Sequence, residues 1–100
     1  MTAALTPEAA LARIATLTPG LRGAAVLDGA GALLAGDPGV AARAREALHS
    51  AGSDPEVRTA PGLHVVRGGD RVIAADAGPE VLGGLLLGDL RDTLARFAAR

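Results

Sequence analysis

Residues 81–97 read V-L-G-G-L-L-L-G-D-L-R-D-T-L-A-R-F. The first seven letters have the look of a strand with a glycine bulge. The whole run has the spacing of a helix that tolerates three glycines. A strand would end its apolar pattern at Gly88, but here the pattern continues. Leu82, Leu86, Leu90 and Leu94 recur every four residues, Leu85 and Phe97 join the same side, and Asp89, Arg91, Asp92 and Arg96 mostly occupy the other. Periodicity over about 18 residues outweighs the strand-like look of seven. The spacing therefore predicts a helix over roughly 79–99, about 30 Å long. Pro79 and Glu80 suit its first turn. Asp92 and Arg96 form an i,i+4 pair worth a few tenths of a kcal/mol. Gly83, Gly84 and Gly88 each cost roughly 1 kcal/mol there relative to Ala. Two readings of them stand side by side: close backbone contact with a neighbouring element, or the general glycine richness of a chain with fourteen.

Proline and its neighbours punctuate the rest of the chain. Thr6 before Pro7 caps a first helix over about 7–17, with Ala10, Leu11, Ile14 and Leu17 as its apolar stripe and Gly20 as its stop. G-A-A-V-L-D at 23–28 and A-L-L-A-G at 32–36 are short apolar runs joined by turn residues, a β-hairpin with Gly31 at positive φ. The unalternating run from Gly23 to Leu27 suggests a strand covered on both faces. Asp37 caps a second helix over about 38–51, ended by Gly52. Val40, Ala44, Ala47, Leu48 and Ala51 share one stripe, with Arg43, Arg45, Glu46 and Ser50 opposite. From 54 to 77 the period shortens to three strand-like runs. Pro61-Gly62 separates the first two, and Gly68-Gly69-Asp70 turns between the last two. Pro55 and Pro61 bracket the first run, Glu56 to Ala60, which suits an edge strand. The order is α-β-β-α-β-β-β-α, an α+β fold in which hairpins give an antiparallel sheet and helices cover it.

Composition narrows the function. At 100 residues the chain fits a single domain over 1–100. Arg supplies all ten basic residues against eleven acids, so the bulk attraction to a phosphate backbone is missing. Phe97 is the one aromatic residue, so there is no stacking platform for single strands. Nucleic acid is not an expected partner. With no cysteine, disulfides, thiolate metal sites and cysteine nucleophiles are excluded. No apolar run approaches the roughly 20 residues of a membrane span. The N-terminus lacks the charged and apolar regions of a secretory signal, so the expected location is cytoplasmic.

No catalytic constellation emerges. G-A-G-A-L-L-A-G at 29–36 does not have G-x-G-x-x-G spacing and opens no helix, so it reads as a hairpin, and no nucleotide cofactor is expected. His49, Ser50 and His64 form no sequential triad and sit in no nucleophile elbow. His49 reads as a solvent-facing helix residue and His64 as a strand residue with a satisfied ring. Two lone histidines and unclustered acids make no metal site. Arg43 and Arg45 read as a solvated face or as a contact to an acidic partner. One feature suggests association: the Ala-rich second helix precedes a short edge strand, and an unpaired edge invites another strand unless Pro55 and Pro61 simply protect it.

The stretch P-G-L-R-G-A-A-V-L-D-G-A-G-A-L-L-A at 19–35 resembles the start of roadblock/dynein light chain domains. Pro19-Gly20, Gly23, Asp28 and Gly31 stand where that pattern has a helix end, a turn, a strand ending in Asp and a glycine hairpin. R-V-I-A-A-D-A-G-P-E-V-L-G-G-L-L-L-G-D-L at 71–90 is similar to the family's last strand and final helix, with Gly84 at its helix-start glycine. Leu82 and Gly83 replace the Asn-Leu that often precedes that glycine. The resemblance implies a roadblock/longin/profilin-like fold: a five-stranded antiparallel sheet with helix 2 on one face and helices 1 and 3 on the other. It further implies a non-catalytic module without a cofactor, homodimeric or heterodimeric through helix 2 and the third strand, that serves as an adaptor or regulator of a small Ras-like GTPase or as a dynein subunit; the leading expectation is a homodimer that binds and regulates such a GTPase. Val40, Ala41, Ala44, Ala47, Leu48 and Val57 are the residues expected at the dimer seam. Which face of helix 2 meets the sheet and which meets a second subunit stays open. The alternatives are a small-molecule sensor, which the scarcity of convergent polar groups disfavours, and a structural dimerisation adaptor without a GTPase partner.

Overall fold

Three helices and five strands follow one another in the expected order. In this computed structural model the described residues are 5–59, 62–79, 81 and 83–98. The elements are α1 (Pro7–Leu17), β1 (Leu21–Asp28), β2 (Leu33–Gly36), α2 (Pro38–Ala51), β3 (Glu56–Thr59), β4 (Leu63–Gly68), β5 (Arg71–Ala77) and α3 (Gly83–Ala98). All strand pairs are antiparallel, in the spatial order β2-β1-β5-β4-β3. β2 and β3 are therefore the two edges.

Local chemistry explains the element ends. Thr6 Oγ1 accepts from the Ala9 amide at 3.1 Å, and Asp37 Oδ1 accepts from Gly39 at 2.7 Å and Val40 at 3.4 Å. Each side chain satisfies amides that the first turn leaves free. Asp28 does the same for the first hairpin, accepting from the Ala30 and Ala32 amides at 2.9 Å each. Gly31, at φ 93°, occupies the left-handed position of that loop.

The sheet's pleat sends alternate residues into two cores. Ala25, Leu27, Leu63, Val65, Val72 and Ala74 face α2, which buries Val40, Ala41, Ala44 and Ala47 against them. Val26, Val66, Ile73, Ala75 and Ala77 face the other way and meet Ala10 and Ile14 of α1 and Leu86, Leu87, Leu90 and Phe97 of α3. The molecule thus has three layers, with α2 on one side of the sheet and α1 and α3 on the other. Small side chains let α2 approach closely. A Cβ at Gly23 would lie 3.1 Å from Val40 Cγ2 and 3.2 Å from Asp37 Oδ2.

Two differences from the sequence reading concern α3. The helix begins at Gly83 rather than 79: Pro79 lies in a turn closed by the Val81 amide on the Gly78 carbonyl at 3.1 Å. Glu80, Leu82 and residue 99 of the expected span lie outside the described residues, as do Ala60 and Pro61 beside β3. Leu85 is 67% exposed, and Leu87 takes its place against the sheet. The stripe of Leu86, Leu87, Leu90, Thr93 and Phe97 is the one the sheet and α1 cover.

Candidate functional site

The sheet separates the groups that a hydrolytic centre would need. Along β4, Leu63 and Val65 face α2, so His64 points to the opposite face from Ser50 and His49 of α2. His64 Nδ1 is bonded to the Gly62 carbonyl at 2.9 Å, and its ring lies beside the start of α3, 3.0 Å from where a Gly83 Cβ would stand. His49 and Ser50 are exposed on α2. Among the described residues, no three His, Asp or Glu side chains are grouped to hold a metal. No helix among them is long and apolar enough to cross a membrane.

The surface expected from the sequence to associate has more structure. The six residues expected at a seam divide into floor and rim. Val40, Ala41, Ala44 and Ala47 form the inner face of α2 and pack on the sheet of their own chain, with Leu48 and Val57 half-buried at the margin of that core. The open question about α2 is thereby answered for one face: the Val40 stripe meets the sheet. Ala47 and Val57 come together in a depression of about 420 Å³ between α2 and β3, also lined by Arg43, Glu46, Ser50 and Thr59. Leu48 lies on the other flank of α2, beside Arg45 and His49.

At the α2 side of this surface Arg43 Nη1 reaches Asp76 Oδ2 of β5 at 3.1 Å. Arg43 Nη2 and Asp76 Oδ1 are buried and have no hydrogen-bond partner among the described residues. A half-buried ion pair with two unsatisfied atoms is an incomplete network. Sequence reading placed Arg43 on a solvated or partner-facing surface and did not single out Asp76. The available signal was one acid within the apolar run R-V-I-A-A-D-A.

Among the described residues, no strand pairs with the outer edge of β3. The Arg67 amide donates to the Pro55 carbonyl at 2.9 Å, which makes residues 55 and 67 a hydrogen-bonded pair. Antiparallel alternation then gives 57/65 and 59/63 the remaining ladder bonds to β4 and turns the amides of Glu56 and Arg58 outward.

Comparison with solved structures places this architecture. A crystal structure of a Roadblock/LC7 domain from Streptomyces avermitilis superposes with a TM-score of 0.73 at 18% sequence identity, covering 86% of this chain and 89% of that one. The fold is that of a Roadblock/LC7 domain. No protein-family model and no curated protein matches the sequence. The roadblock arrangement, with one helix alone on its face of the sheet beside an edge strand, is what sets the α2–β3 depression at the surface.

Proposed function

We propose that the protein is a non-catalytic, homodimeric interaction module that binds and regulates a small Ras-like GTPase. The observation that carries the dimer reading is the α2–β3 surface. It combines an open strand edge, a neighbouring depression and an ion pair with unsatisfied atoms. Two copies joined along β3 would extend the sheet across both chains and bring two α2 helices together, the mode of strand addition that exposed edges favour. Ala47 and Val57 would sit at the seam, Val40, Ala41 and Ala44 would support it from the core, and Leu48 lies on the flank of α2 away from it. The GTPase partner follows from the roadblock resemblance. The separation of His64 from Ser50 by the sheet speaks for a binding rather than a catalytic role.

Arg58→Pro tests the seam. Proline removes the outward amide of an edge strand and leaves the ladder to β4 intact. Light scattering of the parent should give the mass of two chains, and the variant should give one chain with an unchanged far-UV spectrum. A monomeric parent would overturn the seam. Calorimetric titration with a Ras-like GTPase, loaded in turn with GDP and with a non-hydrolysable GTP analogue, tests the partner. Equal absence of heat in both states would leave a structural dimerisation adaptor.

A further inference from the structure

A second cleft, of about 540 Å³, lies on the flank of α2 away from β3. Its walls are the tip of the first hairpin at Gly29–Gly31, the β4–β5 turn at Gly68 and Gly69, and the last turns of α2. The two hairpin tips brace each other: a Cβ at Gly29 would stand 3.2 Å from Asp70 Cα.

The lining is cationic. Arg45 and Arg67 converge on it together with His49, Arg71 borders it at the start of β5 with its guanidinium turned to the α3 face, and no carboxylate of the described residues lines it. Arg45 Nη1 donates to the Gly31 carbonyl at 2.8 Å, and Arg67 donates from Nε to the Asp54 carbonyl at 2.8 Å and from Nη2 to the Gly52 carbonyl. These bonds fix the guanidiniums without neutralising them. Neither Arg45 nor Arg67 forms an ion pair among the described residues. Arg71 pairs with Asp70 at 3.1 Å, a carboxylate 87% exposed to solvent, and its guanidinium lies 5.7 Å from the centre of the Phe97 ring. Asp28, at the base of the same hairpin, is occupied by two loop amides. Glu46 faces the other flank, in the α2–β3 depression. The cleft therefore carries uncompensated positive charge on side chains held in place before any ligand arrives.

The chemistry of the lining selects the ligand class. Guanidinium forks match carboxylates and other planar or tetrahedral oxyanions. The lining has no Phe, Tyr or Trp platform for a nucleobase, and its one ring is the imidazole of His49. Leu48 and Val72 offer an apolar contact between the cations. We propose that this cleft docks an acidic segment of a partner protein, with Asp or Glu carboxylates on Arg45 and Arg67 and one apolar side chain over Leu48. The proposal does not rest on the dimer seam, because the two clefts lie on opposite flanks of α2.

The test uses the full chain and a fluorescein-labelled peptide, Asp-Glu-Leu-Glu-Asp, in about 10 mM salt, where the Debye length is roughly 30 Å. Anisotropy should report saturable submillimolar binding, and a Lys-Arg-Leu-Arg-Lys peptide should not bind. Arg45→Glu should weaken the acidic peptide at least tenfold, and Arg45→Gln should weaken it by less. Circular dichroism identifies any variant that fails to fold. In the parent protein, amide shifts on titration should concentrate at 29–31 and 68–69. Shifts centred elsewhere, or unaltered affinity in folded Arg45→Glu, would overturn the proposal. Displacement of the peptide by equimolar inorganic phosphate would overturn the choice of an acidic segment and assign the cleft to a free oxyanion. Loss of the dimer in Arg58→Pro with peptide binding retained would leave this inference standing alone.

Discussion

Among the described residues, a Cβ added at Gly84 or Gly88 meets no atom within 4 Å beyond the backbone of its own helix. Neither glycine is needed for close packing against the described residues, so of the two readings that the sequence allowed, general glycine richness is the one these contacts support. Alanine at either position should then raise stability by about 0.5–1 kcal/mol, through helix propensity and a less flexible unfolded chain. Urea unfolding of Gly88→Ala checks this, and a loss of stability would reveal a contact that the protomer lacks. Gly83→Ala should gain less, because its Cβ stands 3.0 Å from the His64 ring and 3.2 Å from Arg58 Nη1. Further along α3, Arg13 of α1 reaches both Asp92 and Thr93. The hydrogen bond from Arg13, with charge from Arg96 and Arg13 added, holds the Asp92 carboxyl below its ordinary value. A carboxyl lowered in the folded state contributes stability above its unfolded value of about 3.9 and loses it as the pH falls through the lower folded value. Carboxyl NMR titration of Arg13→Ala should show the Asp92 transition moving upward. An unmoved transition would show that Arg96 suffices.

At the scale of elements, the turn from β2 into α2 depends on one residue. Gly36 has φ 107°, and a Cβ there would lie 2.3 Å from the Ala24 carbonyl oxygen and 2.8 Å from Ala25 Cα. These are backbone atoms of a central strand and do not move aside. Gly36→Ala should therefore destabilise by about 1–3 kcal/mol, read from the denaturation midpoint; a smaller change would mean that the turn relaxes. Caps and turns of this kind were legible in the sequence because their chemistry is local: Thr6, Asp37 and Gly52 end their helices where the letters place them. The start of α3 was not legible. Pro79 fits a first helical turn and also the turn that actually carries the chain out of β5, and only contacts distant in sequence decide between them. Leu85 failed for a related reason. Periodicity defines an apolar stripe, but where α1 and the sheet lie decides which margin of the stripe is covered. The cationic cleft was illegible because a strand and a helix from earlier in the chain bring Arg67 and Arg45 together, and no sequence spacing records that.

Across the whole molecule, two apolar cores share a single sheet. Leu27 points toward α2, and Leu90 of α3 packs on the opposite face; both are fully buried. The central strands β1 and β5 contribute residues to both cores by alternation, so neither core can come apart without loosening strands that the other needs. The radius of gyration, 12.2 Å, is near the roughly 13 Å of a single packed body of this length. The chain is therefore expected to unfold as one unit. Leu27→Ala and Leu90→Ala should each cost about 2–5 kcal/mol, since each leaves a cavity in aliphatic packing that has few large side chains with which to collapse. Each change should lower the midpoint of one shared transition, with far-UV circular dichroism and amide exchange on both faces of the sheet moving together. If Leu27→Ala released the α2 face while amides beneath α3 stayed protected, the two cores would be separate cooperative units, and the single-domain reading would fail with them.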